Sequence, residues 1–193
     1  MSRPMTPTAN HERFSGVQRL LHWAMAAGIV AMLFIGVGML STVAPSYVPL
    51  VATHKTLGIA LFALVLVRLV LRLVLGAPPL PASLPPLMRL GAVLSHWGLY
   101  GLMIVLPLLG WAMLSADHYP VVLFGNFRLP PILPQSDTLH TLLWAAHRWL
   151  AFAFFALILL HVAAALFHAL VRRDGVFEAM SPLPVRTSDP SGG

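Results

Sequence analysis

Four stretches of this chain are apolar on nearly every helical face. They run from about Leu20 to Leu40, His54 to Leu75, Leu90 to Ala116 and Leu142 to Val171. A helix needs roughly 20 apolar residues to cross a hydrocarbon core of about 30 Å. Each stretch is long enough, and apolarity all round marks a lipid-embedded helix rather than an amphipathic one. Between them the pattern breaks. The segment Gly76–Pro86 is Pro-rich and cannot be helical throughout. The segment Phe124–Asp137 reads as a second non-helical link, and Pro107, inside the third stretch, is expected to kink it. The first stretch is too long for a secretory signal and shows no convincing cleavage site over Leu40–Ser46, so it is read as a retained helix. The fold class predicted is all-α, an integral membrane four-helix bundle. Residues 1–13 form an N-terminal tail, residues 14–180 the bundle, and residues 181–193 a polar tail expected to be disordered.

Composition narrows the class. Of 193 residues, 58% are apolar and 9% charged, against roughly a quarter charged in soluble domains. A soluble enzyme is disfavoured, and disorder is excluded over most of the length. The absence of Cys removes disulfides, thiolate-held metals, iron–sulfur clusters and covalent haem attachment. The net charge of +6 is explained by its distribution. Nine of the twelve basic residues (Arg3, Arg13, Arg19, Arg68, Arg72, Arg89, Arg172, Arg173, Arg186) fall on one side of a four-pass topology. Lys55, Arg128 and Arg148 fall on the other. The positive side faces the cytoplasm, which puts both termini there and leaves no need to invoke nucleic acid.

The chain has nine His. His11, His118 and His140 lie in tails or links and read as ordinary surface residues. His22, His54, His96, His147, His161 and His168 lie in or at the ends of the apolar stretches, where an ionisable group is costly and points to function. His147 and His161 are 14 residues apart on one helix. At 100° and 1.5 Å per residue they share a face and stand about 21 Å apart along the axis. The antiparallel order puts His22 at the depth of His161, and His54 at the depth of His147. Two imidazole pairs, one near each membrane surface, are the arrangement that grips two planar haems. An intramembrane His can also be a packed hydrogen-bonding group, and a non-redox transporter or structural protein would need all of them to be that. Zinc would want further ligands, and the stretches carry no carboxylate well inside them. Bis-His iron in two non-covalent b-type haems is what the inventory allows, and two axial ligands favour electron transfer over oxygen chemistry at the metal. One turn beyond the paired His stand Ala26, Gly58, Ala151 and Ala165, small enough to admit a ring.

These residues resemble the prokaryotic cytochrome b561 family, which is similar to the di-haem membrane subunits of hydrogenases and formate dehydrogenases. The resemblance rests on Arg19-Leu20-Leu21-His22-Trp23, Thr53-His54-Lys55-Thr56-Leu57-Gly58, Val67-Arg68-Leu69 with Arg72, Ser95-His96-Trp97, and His147 with His161 and His168. It covers about Phe14 to Met180. It implies the same ligands: His22 and His161 for the cytoplasmic-side iron, His54 and His147 for the periplasmic-side iron. It also implies a bacterial inner membrane location, ubiquinone as substrate and, for free-standing members, oxidation of superoxide at the outer face. The alternative is a cytochrome b subunit passing electrons between a periplasmic dehydrogenase or hydrogenase and quinone. His96 and His168 are candidates for the quinone site or for supporting a ligand, with helix packing as the competing role. Arg19, Lys55 and Arg148 adjoin the paired His and suit haem propionates, or else snorkel to lipid headgroups. The Trp residues lie near segment ends, as an interfacial belt would.

Overall fold

The computed structural model describes residues 13–41, 45 and 47–183. His11, Arg3, Arg186 and most of both predicted tails lie outside the described residues. Four long helices are present: α1 (Gly16–Ser41), α2 (Tyr47–Leu75), α3 (Pro86–Ala116) and α4 (Asp137–Phe167). All four are long and apolar enough to cross a membrane. Each begins earlier than its apolar run. The extra turns carry polar and proline residues that lie where the hydrocarbon ends. Pro86 opens α3 at a position where a missing N–H costs nothing. Ser136 caps α4 by accepting from the Leu139 N–H at 3.3 Å. α3 runs through Pro107 in one piece, so the Met103 carbonyl one turn back lacks its usual intrahelical donor.

The link between α3 and α4 is more ordered than its sequence suggests. It holds a short antiparallel hairpin, β1 (Val121–Leu123) and β2 (Phe127–Leu129), with Leu123 opposite Phe127. The turn uses left-handed backbone at Phe124 (φ 50°) and Gly125 (φ 79°). Glycine takes that conformation freely, whereas Phe does so at a cost. Trp111 Nε1 ties the link down by donating to the Pro130 carbonyl at 2.9 Å.

At the other end, α4 loosens into a π-helical turn, His168–Arg172, and closes with Arg173 at φ 50°. The chain then turns at Gly175 into a short helix, α5 (Val176–Met180). This last segment is strapped to the start of α1. Phe14 N donates to the Ala179 carbonyl, Arg13 to the carbonyls of Glu178, Ser181 and Leu183, Arg19 Nη1 to that of Ser181, and Trp23 Nε1 to that of Met180.

The interior is thinly filled. Close packing of the long helices joins α1 to α2, α2 to α3 and α3 to α4. Few helical side chains are buried: Gln18 and Met25 in α1, Val65 in α2, Leu106, Ser115 and Ala116 in α3, and Phe154 in α4. Phe154 lies seven residues from both His147 and His161, so it occupies the same face midway between them. The bundle therefore has an apolar level flanked by two imidazole levels, not a continuous aliphatic core.

Candidate functional site

The structure brings together the imidazoles that depth matching pairs. His22 on α1 faces His161 on α4 with ring centres 6.3 Å apart and planes at 69°. His54 on α2 faces His147 on α4 at 6.2 Å and 68°. Two imidazoles bound end-on to opposite sides of one metal ion, at roughly 2.0–2.1 Å per nitrogen, hold their centres about 6.3 Å apart. Both spacings fit that separation, and neither pair is close enough for a direct hydrogen bond.

Tautomers sharpen the outer pair. The Leu106 carbonyl lies 3.0 Å from His147 Nδ1. A carbonyl can only accept, so Nδ1 carries the proton and Nε2 keeps a free lone pair. A backbone carbonyl on the non-ligating nitrogen is the support that metal-binding imidazoles commonly have. Across from it, the buried His54 Nδ1 has no hydrogen-bond partner among the described residues, which leaves room for a group that the described residues do not supply. Gly110 of α3 faces this ring: a Cβ on it would stand 3.5 Å from His147 Cε1, in ordinary contact, and a larger side chain would crowd the imidazole. Gly58 faces α1, where a Cβ would meet Met32 Cε at 3.6 Å, an ordinary packing contact.

The inner level holds a third ring. His96 on α3 lies 5.6 Å from His161, edge to face, and its Nδ1 donates to the Ala92 carbonyl at 2.6 Å. Its Nε2 is then also unprotonated. Trp23 packs edge-on against His22 at 5.6 Å, which links that ring to the strap at Met180. Among the described residues no group of three or more His, Asp or Glu is placed to hold a bare metal ion. The pairs suit a cofactor that brings its own equatorial ligands.

The basic residues near the paired histidines make the following contacts. Arg19 reaches the Ser181 carbonyl, and its buried Nε is unpartnered. Lys55 Nζ lies over the Tyr119 ring at 4.9 Å. The Arg148 guanidinium sits between Trp144 and Trp149, at 5.2 and 5.4 Å from their centres, an interfacial position. His118 is exposed, as expected of a surface residue, with φ 57°. His140 is not a free surface group. It sits in the first turn of α4, and its Nδ1 donates to the Met113 carbonyl at 3.0 Å, tying α4 to α3.

His168 lies apart from both pairs. It is buried, and its Nδ1 is 2.9 Å from both Asp174 carboxylate oxygens. Arg172 Nε donates to the same carboxylate at 2.8 Å. Burial alone would raise the Asp174 carboxyl. The hydrogen bonds from Arg172 and His168 outweigh it and hold the group below the usual carboxylate range. A depressed folded value stabilises the fold above the unfolded value, and that contribution disappears as pH falls through the folded one. Asp174→Asn should therefore lower the melting temperature at neutral pH, with the gap to the parent closing on acidification below about pH 4. Thermal scans at several pH values measure this directly.

Sequence reasoning missed Asp174, Gly110 and the strap. Asp174 had no signal beyond standing six residues after His168. Gly110 depends on the register of α3 against α4, which no local pattern encodes.

Comparison with known proteins agrees with this geometry. The family model described as prokaryotic cytochrome b561 matches residues 13–182. Cytochrome b561 homolog 2 of Escherichia coli strain K12 is 30% identical over 179 residues, covering 91% of this chain and 95% of that protein. A Yersinia pestis protein named probable superoxide oxidase CybB is 29% identical over 173 residues, covering 89% and 97%. Cytochrome b561 homolog 1 of Escherichia coli is 27% identical over 178 residues, covering 88% and 97%. With four membrane-length helices, two facing imidazole pairs and a family match over nearly its whole length, this chain belongs to the prokaryotic cytochrome b561 family of transmembrane electron-transfer proteins that bind b-type haem.

Proposed function

We propose that this protein moves electrons from the outer face of the bacterial inner membrane to quinone through two b-type haems. The inner one is held by His22 and His161, the outer one by His54 and His147. The observation that carries the reading is that one helix, α4, offers one ring to each pair, each at the spacing a doubly ligated iron needs. Bound haem supplies a one-electron carrier at each level. The polypeptide's part is to fix the His147 tautomer through Leu106, to keep His22 in place through Trp23, and to fill the space between levels with Phe154. Both termini face the cytoplasm in this reading, by the distribution of Arg and Lys.

The donor we infer is superoxide, supported by the name of the Yersinia pestis relative and by Lys55 beside His54 on the less basic outer face. Two superoxide anions each give up one electron and leave as dioxygen, while one ubiquinone takes two electrons and two protons to become ubiquinol. His96, with Nε2 free beside His161, and His168, paired to Asp174, are proposed to hold protons for that step. Arg19, through its free Nε, and Lys55 are proposed to meet propionates. Arg148 between two Trp rings is better placed to anchor the helix in the headgroup layer.

Purified protein should show a reduced-minus-oxidised haem spectrum, two haems per chain, and superoxide-driven reduction of ubiquinone. A colourless protein removes the reading. Gly110→Val tests the outer site by crowding the His147 ring, and should halve the haem content while Gly110→Ala retains it.

A second reading, a subunit serving a periplasmic dehydrogenase or hydrogenase, is favoured by the outer hairpin. Phe124 is 79% and Phe127 61% exposed there, and such a strained, exposed aromatic suits a docking surface. Full superoxide-to-quinone activity of the isolated chain would rule that role out as the main one.

A further inference from the structure

Arg68 is the unexplained charge of this bundle. It lies on α2, 14 residues after His54, the interval that separates His147 from His161 on α4. That interval returns a side chain to the same face about 21 Å further along the axis. α2 thus presents His54 to the outer level and Arg68 to the inner level, as α4 presents His147 and His161.

The contacts agree with this placement. Arg68 is half-buried, and its Nη1 donates to the Gln18 carbonyl of α1 at 3.1 Å. That carbonyl lies one turn before His22 and is the intrahelical acceptor for the His22 amide. Arg68 reaches across the bundle rather than out to headgroups, so snorkelling does not account for it.

Among the described residues its charge has no counter-ion. The only acidic residue in the four long helices is Asp137, at the outer start of α4. Among the described residues, the ion pairs all belong to Asp174, with His168 and Arg172. A half-buried guanidinium at membrane depth with most of its donors unused calls for an anion. Planar, bidentate pairing makes a carboxylate the natural one.

We propose that Arg68 binds a propionate carboxylate of the inner haem and so sets both the seating and the potential of that haem. This rests on the reading of His22 and His161 as its ligands. Loss of the guanidinium leaves a propionate charge uncompensated, which favours the oxidised iron and lowers the potential.

The test is an optical redox titration of full-length Arg68→Gln in a His54→Ala background, where the remaining signal belongs to the inner haem. The expected result is a lower midpoint potential than in His54→Ala alone. Arg72→Gln removes the same charge one turn nearer the interface, where the guanidinium lies over Phe14, and should shift it less. If Arg68→Gln does not assemble, Arg68→Lys is read instead. A lowered potential or a displaced propionate band in its resonance Raman spectrum supports the proposal. A titration superposable on that of the background, with an unmoved propionate band where Lys is used, overturns it. An unchanged potential, together with a raised KM for quinone in Arg68→Gln alone with His54 intact, also overturns it and assigns the guanidinium to an anionic form of the quinone instead. A parent protein without haem would sink the underlying reading, a result distinct from any of these.

Discussion

His54→Ala and His147→Ala each yield a protein with one haem per chain in place of two. His161→Ala should remove the other one, and His22→Ala should lose most of it. The reason is geometric: in each pair the rings stand 6.2 or 6.3 Å apart, so neither can reach around to serve alone, and among the described residues no third imidazole packs on the outer pair. At the inner level His96 is 5.6 Å from His161. Loss of His22 should therefore leave a residual, spectrally altered inner haem more often than loss of His54 leaves an outer one. Electron flow from superoxide to quinone should stop in all four variants, because each level is an obligatory stage. His118→Ala, on the exposed outer loop, keeps both haems. The pyridine-haemochrome ratio per polypeptide reads these outcomes. Two full haems in both His54→Ala and His22→Ala would falsify the ligand assignment.

The second large effect is on the fold itself. Protein made without haem should melt far below the holoprotein and be cut readily by protease. α4 packs closely on α3, while its approach to α1 and α2 runs through the imidazole pairs. Phe154 is the one buried side chain of α4 itself. Anything bound between the pairs is then a large share of the interior. A ligand present at 1,000 times its Kd stabilises the folded state by about 4 kcal/mol, and two such sites exceed what single side-chain changes usually supply. Circular dichroism melts of the two forms in the same detergent measure the difference. Coincident melts would mean that the four helices need nothing between them.

The architecture was legible because its physical cause is local. A bilayer demands helices of a certain length with every backbone group satisfied inside the segment, so hydropathy alone marks four spans. The 3.6-residue period put His147 and His161 on one face, and antiparallel order paired them with His22 and His54. The same period held a signal for Arg68, in its 14-residue interval from His54, which histidine counting did not use.

Other features depend on neighbours far away in sequence. His140 looked like a loop residue until α4 was seen to start at Asp137 and bring it under the Met113 carbonyl. Arg148 adjoins His147 in sequence, but which groups its guanidinium meets depends on the side chains around it, and it lies over Trp144 and Trp149. The hairpin over 121–129, the strap onto α1 and the Asp174 pair all form where chain ends and links meet across the membrane surface.

Sequence by itself determined the membrane, the number of spans and which imidazoles share a depth, because these follow from the chemistry of single helices in lipid. Tertiary structure decided which ring nitrogen is left free, which cations face the interior and how little protein fills the space between the pairs. Those depend on the rotation and register of one helix against the next, and a carbonyl such as that of Leu106 becomes a partner for His147 only once α3 and α4 have docked.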